Sequence, residues 1–152
     1  SAGRDPSTID IWARAMMYVS DKADNATKEV SGYAVNSALS TIMQFKKTTP
    51  EIADLKTRMI KAYPWLMEDC QKVYDVYEPY MHERFDTPAA QAVTKRLLDI
   101  FHMAGTQDQI GEKIEKIGEI GIKTVATTLY TIVDKKGMIQ EIGNKIIPNF
   151  HK

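Results

Sequence analysis

The sequence predicts an all-α fold, an irregular bundle of about six to eight amphipathic helices forming one helical domain over residues 1–152. Three observations predict it. Apolar residues recur at spacings of three and four along most of the chain, the period of a helix with one buried face. Capping hydroxyls followed by proline mark helix starts, and glycine or proline marks their ends. No segment keeps the strict two-residue alternation of a half-buried strand.

The first element opens at Ser7 or Thr8, with Pro6 before the cap. Ile9, Trp12, Met16, Val19, Ala23, Ala26, Val30 and Tyr33 then form a stripe opposite Asp10, Arg14, Asp21, Lys22 and Lys28. Val35, Leu39, Ile42 and Phe45 continue it. One helix from Ser7 to Lys47 would be about 60 Å long at 1.5 Å per residue, too long for a compact domain of this size. The sequence therefore predicts a break near Asp24–Asn25 or Ser31–Gly32, giving two helices.

Thr49-Pro50-Glu51 opens the next helix: a capping hydroxyl, a proline at the first helical position and an acid in the first turn. Ile52, Leu55, Met59 and Ala62 form its stripe, and Pro64 ends it. A further run carries Trp65, Leu66, Asp69, Cys70, Val73 and Tyr77 until Pro79. Thr87-Pro88 repeats the start signal, and Gly105 is placed as the stop of that helix. Thr106 and Gln109 fit a capping box opening a helix that runs to about Gly137. A last helix spans Met138 to Ile147, ending at Pro148. Residues 124–133 are rich in β-formers yet keep helical spacing, so they are read as helix.

The totals bound the function. Twenty basic residues balance twenty acidic ones, and Lys46-Lys47 and Lys135-Lys136 are isolated pairs at helix ends. No basic stripe exists to neutralise phosphates, which argues against nucleic acid. No run of about 18 uncharged apolar residues exists, so no transmembrane segment is expected. Cys70 is the single cysteine, which rules out an intrachain disulfide. The start Ser1-Ala2-Gly3-Arg4-Asp5 has no initiator Met and looks trimmed. Asn25-Ala26-Thr27 fits a glycosylation sequon. Together these favour a secreted protein, with a cytoplasmic one as the alternative.

No catalytic signature is complete. His82-Glu83 is not followed by a second histidine at position 86, where Asp86 stands, so the two-histidine zinc pair is absent. Glu78 with His82 and Asp99 with His102 have helix-face spacing and read as surface ion pairs rather than as a metal site. Cys70 has core spacing and acidic neighbours that disfavour its thiolate. No phosphate loop, dinucleotide fingerprint or nucleophile elbow is present, and no cofactor or metal is implied. Gly111, Gly118 and Gly121 lie within a helical pattern and read as close helix-to-helix approach.

The expectation is a non-enzymatic carrier or sensor of an apolar small molecule such as a fatty acid or other lipid. It rests on amphipathic helices, eight methionines and the internal glycines. Met16, Met43, Met59, Ile114, Ile117, Val125 and Leu129 would line its cavity, and Lys123 or Arg96 would meet a carboxylate head group. The alternative is a secreted protein-interaction module. It would dock a protein partner through Tyr63, Trp65, Tyr74, Tyr77, Tyr80 and Phe85, since tyrosine suits surfaces that are apolar with a polar rim.

Overall fold

A computed structural model describes residues 3, 5, 8–81, 84–129 and 134–150, with residues 23–25 described by their backbone alone. The fold is mixed α/β, not all-α. Three parallel strands, β1 (Trp12–Val19), β2 (Met103–Gly105) and β3 (Thr124–Thr128), form one sheet in the order β2-β1-β3. β1 pairs with β2 through Met17–Met103 to Val19–Gly105, and with β3 through Trp12–Thr124 to Met16–Thr128.

The physical reason for the correction lies in Met16 and Met17. Successive strand side chains point to opposite faces, and both of these are buried, so the middle of β1 is covered on both sides. A strand buried on both faces reads as a continuous apolar run, here Ala15-Met16-Met17-Tyr18-Val19, and loses its alternation. Ile9, Trp12, Met16 and Val19 happen to keep helical spacing as well. Such a run cannot be assigned from periodicity alone. β3 carries Thr124, Val125, Thr127 and Thr128, whose β-branching favours a pleated strand over the helical reading.

The helices are α1 (Ala23–Phe45), α2 (Pro50–Ala62), α3 (Leu66–Asp75), α4 (Pro88–Gln91), α5 (Lys95–Phe101), α6 (Gln107–Glu119), α7 (Lys135–Glu141) and α8 (Ile147–Phe150). α1 begins beside the predicted break at Asp24–Asn25 and runs unbroken through Ser31–Gly32. The Thr49 hydroxyl accepts from the Ile52 N–H at 3.5 Å, and the Thr87 hydroxyl from the Ala90 N–H at 3.1 Å, as the two Thr-Pro starts require. The second start opens only a four-residue helix; Thr94 caps the next one, α5. The capping box is present in both directions: the Gln109 N–H donates to Thr106 Oγ1 and the Thr106 N–H to Gln109 Oε1.

α6 stops at Glu119, not near Gly137. Gly121 has φ 87°, its N–H donates to the Gly118 carbonyl at 2.9 Å, and the Ile122 N–H donates to the Ile117 carbonyl at 3.3 Å. That crossed pair is a Schellman stop, which needs a residue able to turn left-handed. The last helix starts earlier than expected and passes Pro148: α7 continues through a π turn, Ile142–Ile146, into α8.

α1 is the spine. Its Val30 and Ala34 pack with Met16, Met17 and Val19 of β1, and with Leu98, Met103, Ile110 and Met138, in a core beside the sheet. Val35, Ala38, Leu39, Ile42 and Phe45 pack a second core with Leu66, Cys70, Val73 and Leu97. Among the described residues no helix is long and apolar enough to cross a membrane.

Candidate functional site

Ligands of open parallel sheets bind outside the carboxyl ends of the strands, where strand-to-helix loops converge. Here that end is formed by Val19 and Ser20 after β1, Gly105 and Thr106 after β2, and Thr128 and Leu129 after β3. The Ser20 N–H donates to the Gly105 carbonyl at 2.9 Å, tying the first two strand ends together. Beside them, Lys145 reaches Asp21 at 3.2 Å and Glu141 at 2.7 Å. These two carboxylates, Glu141 first, raise the lysine above its ordinary value, so it remains a fixed cation. Tyr18 near this end is also raised, by partial burial and then by Glu29 and Asp134. Met138 of α7 closes the end from the side, its sulfur accepting the Val19 N–H at 3.3 Å.

A cleft of about 660 Å³ opens at the amino ends of the strands. β2 begins only opposite Met17, so among the described residues this side of β1 has no strand partner over residues 12–15. Ala13, Arg14 and Ala15 form one wall, and Trp65 with Arg96, Phe101 with His102, and Lys113 with Lys116 form the others. His102 is 4% exposed, and its Nε2 lies 3.2 Å from Ser37 Oγ. Its Nδ1 is buried without a hydrogen-bond partner among the described residues. Burial, followed by the charge of Lys113, pushes this imidazole down to about 4.

The structure distributes the residues proposed for a lipid cavity over several places. Met16 is fully buried in the core beside the sheet, and Ile114, Ile117, Val125 and Leu129 pack around that core. Met43 is exposed, while Met59 lines a separate groove with Tyr33 and Leu55. Lys123 is exposed, and Arg96 is committed to Asp69 at 2.6 Å. The glycines do not mark close helix contact: a Cβ at Gly118 would meet nothing within 4 Å, and one at Gly111 only Phe150 at 3.9 Å.

The aromatic segment also divides. Tyr63 and Trp65 pair edge-on at 5.9 Å, Tyr77 packs on the second core, and Lys46 and Lys28 lie over Tyr74 and Phe85. Tyr80 stands 79% exposed. Asp99 does not meet His102: it binds Lys95 and Lys113 instead. His82 and His151 lie outside the described residues. Asp69 was missed as a site residue, although its helical spacing with Leu66, Cys70 and Val73 put it on the buried face of that helix.

A parallel sheet with helices on its crossovers defines an α/β protein of the kind that carries its ligands at the strand ends. No known family profile matches the chain. It is similar to 5,10-methylenetetrahydromethanopterin reductase of Archaeoglobus fulgidus, at 39% identity over 150 residues. The match covers 97% of this chain and 40% of that protein, so the chain spans about two fifths of the relative's length. Similarity to an enzyme, a reductase, overturns the expectation of a non-enzymatic lipid carrier. The amphipathic helices behind these readings divide between two cores: α6 packs beside the sheet, whereas α2 and α3 belong to the second core.

Proposed function

We propose that this chain forms part of a reductase acting on a one-carbon unit carried by a reduced pterin. The observation that carries the reading is the similarity to the archaeal reductase along 97% of the chain. The parallel sheet supports it, because such sheets place ligands at the strand ends.

The chemistry follows from the substrate class. A methylene group bridging two nitrogens opens at one C–N bond, leaving an iminium carbon and a nitrogen that takes a proton. A hydride from a two-electron carrier then adds to the carbon, giving an N-methyl group and the oxidised carrier. The protein's part is to bind, orient and exclude water while the carrier supplies the electrons. At the carboxyl end, Asp21 offers a carboxylate suited to the amino and ring N–H donors of a pterin edge. Lys145, held by Asp21 and Glu141, offers a cation for a carbonyl or anionic oxygen.

The test is to mix the purified chain with 5,10-methylenetetrahydromethanopterin and, in turn, reduced nicotinamide, flavin and deazaflavin donors. Loss of donor absorbance and the methyl product by mass spectrometry are followed, with calorimetry of tetrahydromethanopterin binding alongside. Pterin binding, with or without turnover by this length of chain, is the expected result. Absence of both pterin binding and turnover overturns the reading.

A further inference from the structure

The amino-end cleft has a chemistry that the reductase reading does not use. Four cations line it, Arg14, Arg96, Lys113 and Lys116, against one carboxylate, Asp99. Asp99 is already met by Lys95 at 2.6 Å and Lys113 at 3.1 Å. Lys113 also donates to the His102 carbonyl at 3.1 Å, and Arg96 is held by Asp69. Arg14 and Lys116 have no carboxylate partner among the described residues, so the cleft retains a positive excess on two exposed side chains. One wall is an aromatic shelf: Arg96 lies 4.5 Å over the Trp65 ring, and Tyr63 meets that ring edge-on. The shelf is rigid, because the guanidinium on it is fixed by two bonds to a fully buried carboxylate.

The floor has unmet hydrogen-bonding capacity. Along residues 13–15 the β1 edge facing the cleft has no strand partner among the described residues, and alternate residues there present backbone N–H and C=O groups. His102, which lines the same cleft, keeps a buried nitrogen unpartnered. The volume of about 660 Å³ matches a small organic ligand rather than an ion or a peptide.

We infer that this cleft binds a planar aromatic metabolite carrying a phosphate or carboxylate group. The ring lies against Trp65 and Arg96, its polar edge meets the free edge of β1, and its anion sits between Arg14 and Lys116. The site lies at the opposite end of the sheet from the proposed reductase site and stands independently of it.

Trp65 reports occupancy directly. The chain holds two tryptophans, and Trp12 is exposed, so Trp12→Phe leaves Trp65 as the single fluorophore. In that background AMP represents an aryl phosphate, isophthalate an aryl carboxylate, and adenosine the neutral control. The expected result is saturable quenching by one or both anions, with adenosine at least about tenfold weaker. Whichever anion binds identifies the head group. Arg14→Gln and Lys116→Gln should each weaken binding by about tenfold with unchanged circular dichroism. Added salt should weaken it further. Absence of quenching by either anion at millimolar concentration overturns the proposal, as does binding that survives both substitutions. Anion binding in a chain that neither binds nor reduces the pterin would fail the reductase reading alone.

Discussion

The Asp69 carboxylate and the Arg96 guanidinium form a two-pronged contact, 2.6 Å on each arm, although they lie 27 positions apart. The carboxylate is fully buried, and the Thr94 hydroxyl donates to it as well at 2.6 Å. One residue therefore ties α3 to the cap and first turn of α5, and so to the cleft wall. Arg96 dominates in holding Asp69 below the usual carboxylate range.

Asp69→Asn should be destabilising, by about 2 kcal/mol, because the new amide turns N–H groups towards donors that now lack an acceptor. Arg96→Ala should be worse than Asp69→Ala: the first strands a buried carboxylate, while the second leaves a half-exposed guanidinium free to reach water. Urea denaturation of the three variants checks the order. Equal midpoints for the two alanine variants would contradict this account.

How much of this was legible depends on sequence distance. The capping hydroxyls of Thr49, Thr87 and Thr106 act on atoms three residues away, and they could be read directly. The sheet could not, because β1 finds its partners about 90 and 110 positions later, and burial on both faces removed its alternation. Residues 124–133 did show β-rich composition, and Gly121 followed by Ile122 was a stop signal available in the sequence. Gly121 was instead assigned to a helix face. The cleft was illegible: Arg14, Trp65, Arg96 and Lys116 belong to four separate segments, which only tertiary packing brings to one place.

His102 should make stability depend on pH between about 4 and 6.5. Its folded value is about 4, below the ordinary 6.5, so over this window the unfolded state binds the extra proton. Stability is thus complete above about 6.5 and falls as pH drops towards 4, by up to about 3 kcal/mol. Asp69 and Asp99, both lowered, act below this window, since their contributions are lost only as pH falls through their folded values. Thermal melts of the wild type and His102→Gln at pH 5 and 7 check it. The variant should lose most of the difference, whereas an unchanged difference assigns the effect to other groups.

Cys70 should be chemically silent in the native state. It is fully buried in the second core, and burial with neighbouring Asp69 pushes the thiol up to about 11. A thiolate reagent at pH 8 should therefore label it only when the core opens, at a rate that rises with denaturant. Stoichiometric labelling of the folded protein within seconds would place the thiol at the surface.

Gly118 and Gly121 stand three residues apart, yet alanine should have opposite effects at them. Gly118 lies within α6, where a Cβ meets nothing within 4 Å, so Gly118→Ala gains helix propensity without a clash. The expected gain is about 0.5–1 kcal/mol. Gly121 also has open space around it, but its φ of 87° is one that an alanine enters only with strain. Gly121→Ala should therefore cost about 1 kcal/mol, and the cost is conformational rather than steric. Asn, which tolerates the left-handed region better, should recover part of that loss at position 121. Denaturant midpoints of Gly118→Ala, Gly121→Ala and Gly121→Asn decide the matter. Stabilisation by alanine at both positions would mean that α6 continues past Glu119 and that β3 does not begin where the structure places it.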